Sequence, residues 1–346
     1  MASARRLAVC FSIAVVAACA ESLIVPPTAP SPLDPHKVGE LGLDCPVGRP
    51  VQSPDGNPIP LDYPLPVVRG GQEPVTVACD PASGTPFPVG ATRVSCSAAD
   101  ALGQGAACSF VLRVLPPPML GVTRILAFGN SLTAGTLSGG AVSGGRSYPA
   151  QLEQRLRSAY RAQSIRVFNE GVPGERAVEA PGRLASVLAR HRPEVVILMQ
   201  GTNDLAFSSL ERANALHAVD QMVQMVQAAG AAPVLATLPP IRSTVRGLHA
   251  AGIPDFNDGV RAVAASRGAV LIDIYGKVAG GRCVPAGGSP FPCIGPDGLH
   301  PTAEGYGLMA DAFFNHLVRR YDQPMTAPGA RRTSVVDAEG GSLRVD

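Results

Sequence analysis

From Thr123 onward, five apolar runs, "RILAF", "SIRVFN", "EVVILMQ", "APVLAT" and "AVLIDI", alternate with amphipathic stretches. The stretches lie near 148–160, 177–191, 209–229 and 255–267, with a last one near 302–320. A strand that is apolar on both faces has to be covered on both faces, which implies a parallel sheet between layers of helices. The expected fold is α/β, a three-layer sandwich around a five-stranded parallel sheet. Such sheets carry their functional groups in the loops outside the carboxyl ends of the strands.

Those loops are polar and contain glycine. The first strand is followed by Gly129-Asn130-Ser131-Leu132, and the second by "NEGVPGERA" with Asn169, Gly171 and Gly174. The third is followed by "QGTNDLA" with Gly201, Asn203 and Asp204, and the last helix is preceded by "PDGLHPTAEGY" with Asp297 and His300. Ser131 alone is a helix cap more often than a nucleophile. A nucleophilic serine needs a base, an orienting acid and donors for an oxyanion. Four loops converging on one edge of the sheet supply all of them.

With these residues in these positions, 123–320 resembles the SGNH hydrolase superfamily, the GDSL-type esterases and lipases. The Ser, Gly, Asn and His blocks of that family fall in order on Ser131, Gly171, Asn203 and His300, with Asp297 three residues before the His. The resemblance implies the flavodoxin-like SGNH hydrolase fold over 119–321 and hydrolysis of carboxylic esters, with no cofactor and no metal. Ser131 would attack the acyl carbon, His300 would shuttle the proton, and Asp297 would fix the imidazole tautomer. The backbone N–H groups of Ser131 and Gly171 and the Asn203 amide would form the oxyanion hole. Asn130 stands where the family most often has Asp, which implies tuning of the site. Asn169 and Asp204 are expected to organise loops.

Tyr148 and "TLPPI" at 237–241 either line an acyl pocket or pack in the interior. His36, His191, His217, His249 and His316 have no Asp-x-x-His context and are expected to be structural or exposed. The Met-containing "VDQMVQMVQAA" reads as a core-facing helix stripe. The substrate class implied is a small acyl ester, with an acylated glycan as the alternative. A non-catalytic adhesion protein with a retired hydrolase domain is disfavoured by the intact blocks.

The N-terminus, "MASARRLAVCFSIAVVAACAES", has Arg5 and Arg6 before an apolar run that is short for a membrane span. It reads as an export signal over residues 1–18. Val16-Ala17-Ala18-Cys19 resembles the lipobox of bacterial lipoproteins, in which the Cys is lipidated; an ordinary cleavage site with Cys19 incidental is the alternative. Export to the bacterial cell envelope, tethered through Cys19 or secreted, is the expectation. Residues 19–38 are rich in Pro and Ser and read as an extended spacer.

Residues 39–116 show short alternating runs, "PVTVACD", "ATRVSCSAAD" and "ACSFVLRVL", and no helical period, which reads as a small β-sandwich. The stretch 75–114 resembles the hyalin repeat family, an immunoglobulin-like module. The resemblance rests on its Cys-x-Pro-x-Ser-Gly start, Phe-Pro-x-Gly-x-Thr hairpin and Cys-x-Ala-x-Asp…Cys-x-Phe end. Such a module implies spacing or binding of a surface partner. Setting aside Cys10 and Cys19, six cysteines remain, an even number suited to disulfides in an exported chain. Cys45, Cys79, Cys96 and Cys108 allow three pairings, of which Cys45–Cys108 with Cys79–Cys96 is taken. Cys283 and Cys293 would close a short loop ahead of Asp297. No C-x-x-C, P-loop or GxGxxG motif is present, and a net charge of +2 with no basic run gives no nucleic-acid footprint. "PPP" at 116–118 marks the boundary between the two folded regions, and the tail from Asp322 to Asp346 is expected to be disordered.

Overall fold

A computed structural model of the chain describes residues 39–206, 208–241, 250, 252–280, 283 and 293–323. The export signal, the spacer with Cys19, and 324–346 lie outside the described residues, as do His36 and His249.

The first region is built from β1 (Gly42–Asp44), β2 (Val51–Gln52), β3 (Ile59–Pro60), β4 (Val67–Arg69), β5 (Thr76–Asp80), β6 (Pro86–Phe87), β7 (Gly90–Ala99) and β8 (Gly105–Leu115). Four of them form one sheet in the order β2-β8-β7-β5, while β1 pairs with β4 and β3 with β6. Buried and exposed residues alternate along β7 and β8, because successive strand side chains point to opposite faces. The inward set, Val94, Cys96, Phe110, Leu112 and Val114, meets Phe87 and Tyr63 in a small core. Asp100 closes the β7–β8 hairpin by accepting the N–H groups of Gln72, Leu102 and Gln104 at 2.8–2.9 Å. The bond from Gln72 leads in holding its carboxyl below the usual carboxylate range. Cys79 and Cys96 face each other across β5 and β7 and are bonded, and Cys45–Cys108 ties the chain after β1 to β8. This region is β-rich, as its alternation predicts.

The second region opens with β9 (Met119–Leu120) and β10 (Arg124–Gly129), then α1 (Ser131–Ala134), α2 (Tyr148–Ala159), β11 (Arg166–Gly171) and α3 (Ala180–His191). It continues through β12 (Val195–Met199), α4 (Ser209–Ala228), β13 (Ala232–Ala236), α5 (Gly252–Arg267), β14 (Val270–Ile272), α6 (Ile274–Ala279), α7 (Ala303–Tyr321) and β15 (Asp322–Gln323). The five-stranded sheet runs β11-β10-β12-β13-β14, and every pairing in it is parallel. Strand order therefore reverses between β10 and β12, and the crevice outside the carboxyl ends there is where α/β sheets place their sites. All five residues of β12 are buried, as a central strand covered on both faces requires.

Two details differ from the sequence reading. Helix α6 is only six residues long, too short to register as a period. Asp322 and Gln323 are not aperiodic tail: they pair antiparallel with Leu120 and Met119, a contact between chain positions too distant for any local pattern.

Candidate active site

Strand β10 ends at Gly129, where a Cβ would collide with the Thr133 side chain and the Met199 carbonyl. Helix α1 can begin immediately because Asn130 caps it. The Asn130 Oδ1 accepts the Leu132 N–H at 3.1 Å, and its carbonyl accepts those of Thr133 and Ala134. After four residues Gly135 stops the helix with φ +88°, a conformation that favours glycine. This short capped helix presents Ser131 at its first position, 7% exposed. As the first helical residue, Ser131 has an N–H with no intrahelical acceptor.

His300 and Asp297 come from one turn, closed by the Ile294–Pro301 bridge and by the Gly295 N–H on the His300 carbonyl at 2.8 Å. Asp297 Oδ1 accepts the N–H groups of Leu299 and His300, both at 3.0 Å, and Oδ2 lies 2.7 Å from His300 Nδ1. Burial by itself would raise the Asp297 pKa, but the His300 ring and the two backbone donors outweigh it and hold the carboxyl below its ordinary value. An ionised Asp297 calls for the proton on Nδ1, which leaves Nε2 as an acceptor. His300 Nε2 lies 3.0 Å from Ser131 Oγ, and the imidazole is 3% exposed. The structure thus brings together three residues from loops about 170 positions apart. Ser138 and Tyr306 steady them: Ser138 Oγ accepts the Asp297 N–H at 3.3 Å, and Tyr306 donates to the Thr136 carbonyl at 2.7 Å.

A cavity of about 430 Å³ opens over this array, lined among others by Ser131, Thr136, Gly174, Arg176, Asn203 and His300. Larger grooves of about 660 and 860 Å³ hold none of the three array residues. Asn203 is half-buried and spends one amide hydrogen on the Glu175 carbonyl at 2.8 Å, which leaves the other.

Gly171, expected as an oxyanion donor, does not border this cavity. Its N–H is taken by Asn169 Oδ1 at 3.0 Å, and a Cβ there would strike the backbone of Ala134. Its role is to let β11 and α1 approach closely. Of the two glycines in this loop, the one that borders the cavity is Gly174, with φ +85° and an N–H that has no acceptor among the described residues. The two glycines sit three residues apart in "NEGVPG", and only the folded structure distinguishes them.

Other expected residues fall as follows. Asp204 is fully buried and accepts the Ala177 N–H at 2.9 Å; burial dominates and raises its pKa, with Arg176 3.5 Å away. Tyr148 is fully buried against Phe313, with its hydroxyl 3.3 Å from Thr133, and does not line the cavity. Residues 237–241 are likewise buried packing residues. His191 is half-buried, stacked on Phe168 and 2.7 Å from Glu170, while His217 is exposed. The third disulfide, Cys283–Cys293, anchors the turn, for Cys293 is fully buried and its carbonyl accepts the Thr302 N–H at 3.0 Å. Sequence reasoning passed over Glu175 and Arg183. Their only local signal was an acid beside a loop glycine and an arginine on an otherwise ordinary helix.

Among solved structures, the chain is similar to the lipase/acylhydrolase from Enterococcus faecalis. The match has 22% identity and a TM-score of 0.50, and covers 59% of this chain and 100% of that one. It is also similar to the acetylxylan esterase Axe2 from Geobacillus stearothermophilus, at 20% identity and a TM-score of 0.47, covering 57% and 95%. No curated protein matches the sequence significantly. The model of the GDSL-like Lipase/Acylhydrolase family matches residues 127–308. That span is more than half of the chain and runs from β10 into α7, so the chain belongs to the GDSL-like lipase/acylhydrolase family and is an ester-bond hydrolase.

Proposed function

We propose that the chain is a serine esterase working through an acyl-serine intermediate. The observation that carries this reading is the continuous Ser131 Oγ–His300–Asp297 hydrogen-bond chain, with links of 3.0 and 2.7 Å. Ser131 Oγ bonds to the acyl carbon as its proton passes to His300 Nε2, and the carbonyl electrons move to oxygen. Asp297 stabilises the imidazolium without taking its proton. The ester C–O bond then breaks and the leaving alkoxide takes the proton from Nε2. Water repeats the sequence, with His300 as base, and releases the acid. The N–H groups of Ser131 and Gly174 and the second amide hydrogen of Asn203 serve the oxyanion, each donor being worth ~10²–10³ in rate.

The test is p-nitrophenyl acetate hydrolysis by the wild type and Ser131→Ala. A fall in kcat of at least ~10³ is expected, and a wild-type rate in the variant would sink the assignment. A cavity of only about 430 Å³ favours a short acyl group. The second reading, an acetyl-carbohydrate esterase, is favoured by the β-rich region ahead of the hydrolase, since accessory modules accompany polymeric substrates. A panel of acyl-chain lengths run beside acetylated xylan separates the two.

Residues 39–116 are read as a hyalin-repeat, immunoglobulin-like module and 119–321 as the hydrolase domain. Three disulfides suit an oxidising, extracellular setting, and among the described residues no helix is long and apolar enough to cross a membrane. Tethering through Cys19 fits both. Fatty-acid labelling that persists in Cys19→Ala would exclude it.

A further inference from the structure

The geometry points to the Arg183–Glu175 ion pair as the positioning element of the oxyanion hole, an inference that rests on the esterase reading. Arg183 reaches from α3 beneath the loops that carry the site. Its Nε and Nη2 each lie 2.6 Å from a different oxygen of the buried Glu175 carboxylate. Nη1 donates to the Glu170 carbonyl at 3.0 Å and Nη2 also to the Gly129 carbonyl at 3.4 Å. The guanidinium lies 4.0 Å from the centroid of the Phe128 ring, a stacking that suits arginine better than lysine.

The contacts with Gly129 and Glu175 end beside the proposed machinery. Gly129 closes β10 two residues before Ser131. Glu175 follows Gly174 directly, and its backbone carbonyl holds Asn203 Nδ2 at 2.8 Å. The same carboxylate receives Gln200 Nε2 at 2.6 Å, from the residue that follows β12. One planar fork therefore fixes the ends of three adjacent strands relative to one another, which a point charge cannot do. Stability is a poor reason for such a pair, because well-packed apolar residues replace buried ion pairs at little or no loss. Geometry at the oxyanion site is the better one, since a donor displaced by about an ångström forfeits much of its effect.

The experiment measures kcat and KM with p-nitrophenyl acetate for Arg183→Met, Glu175→Gln, Asn203→Ala and both double variants with Asn203→Ala, beside Ser131→Ala. Thermal unfolding is followed for each. Arg183→Met and Glu175→Gln are expected to lower kcat by about 30–100-fold with KM within about threefold. In the Asn203→Ala background each further substitution should cost at least about tenfold less in kcat than it does in the wild type, because the pair acts through Asn203. If Arg183→Met does not fold, the near-isosteric Glu175→Gln carries the same expectation. Independent, multiplicative losses would overturn the inference, as would a loss carried by KM alone or a wild-type kcat in both single variants. A wild-type rate in Ser131→Ala would instead overturn the esterase reading. An inactive Ser131→Ala beside a fully active Arg183→Met and Glu175→Gln overturns only the positioning role.

Discussion

Asn130 caps α1 with its carbonyl oxygen and leaves its amide nitrogen buried without an acceptor among the described residues. Only the capping half of the side chain is therefore needed for the helix that carries Ser131. Asn130→Ala should cost about 0.5–2 kcal/mol of stability, measured by chemical denaturation. Asn130→Asp keeps the cap, removes the orphan donor and places a negative charge at a helix N-terminus. Its kcat/KM is expected to stay within about fivefold of wild type. Asp297 makes a pH prediction. Its folded pKa is depressed, so its contribution to stability is fully present above the ordinary carboxylate pKa and is lost as pH falls through the folded value. The melting temperatures of wild type and Asp297→Asn should differ at pH 7 and converge as the pH is lowered below about 4. A gap that stays constant down to pH 3 would refute the assigned ionisation.

Among the elements, α1 is decisive because it is small and held on both sides. Among the described residues, Gly129 and Gly171 are the two places where a Cβ would strike it, at Thr133 and at the Ala134 backbone. Gly171→Ala should cost about 1–3 kcal/mol by overpacking and lower kcat by moving Ser131. Urea denaturation beside the kinetic assay tests both effects. The 293–302 turn is the complementary element, rooted at Cys293. Replacing Cys283 and Cys293 together by Ser should lower kcat while leaving the other two disulfides intact. Unchanged kinetics in a preparation with two bonds confirmed by mass spectrometry would show that the turn needs no staple.

At the scale of the molecule, two hydrophobic clusters are separate, one centred on Tyr63, Phe87 and Phe110 and the other on the five-stranded sheet. Every residue of the proposed machinery belongs to the second region, whose ends are sewn together by β9 and β15. A protein reduced to residues 119–323 is expected to hydrolyse p-nitrophenyl acetate with wild-type kcat/KM. Removing Asp322 and Gln323 as well should lower its melting temperature, because the β9–β15 pairing is then lost. Loss of hydrolysis on removing 39–116 would instead assign the β-rich region a part in catalysis.

The alternation of apolar runs with helical periods was enough to determine the parallel sheet, because burial on both faces leaves a strand few other solutions. The polar loops, their order and the Asp-x-x-His turn were equally plain, for capping, turn and acid–base chemistry are short-range and depend on residue type. What the residues could not reveal is which of two loop glycines borders the cavity, or that Arg183 and Glu175 lie beneath it. Gly171 and Gly174 have the same local sequence chemistry and differ in backbone conformation and in what packs against them, α1 in one case and open cavity in the other. Arg183 gathers Gly129, Glu170 and Glu175, and through the Glu175 carboxylate Gln200, from segments up to 54 residues away. A guanidinium acquires that role only when parallel strands bring their carboxyl ends side by side, and that adjacency is a property of the folded sheet.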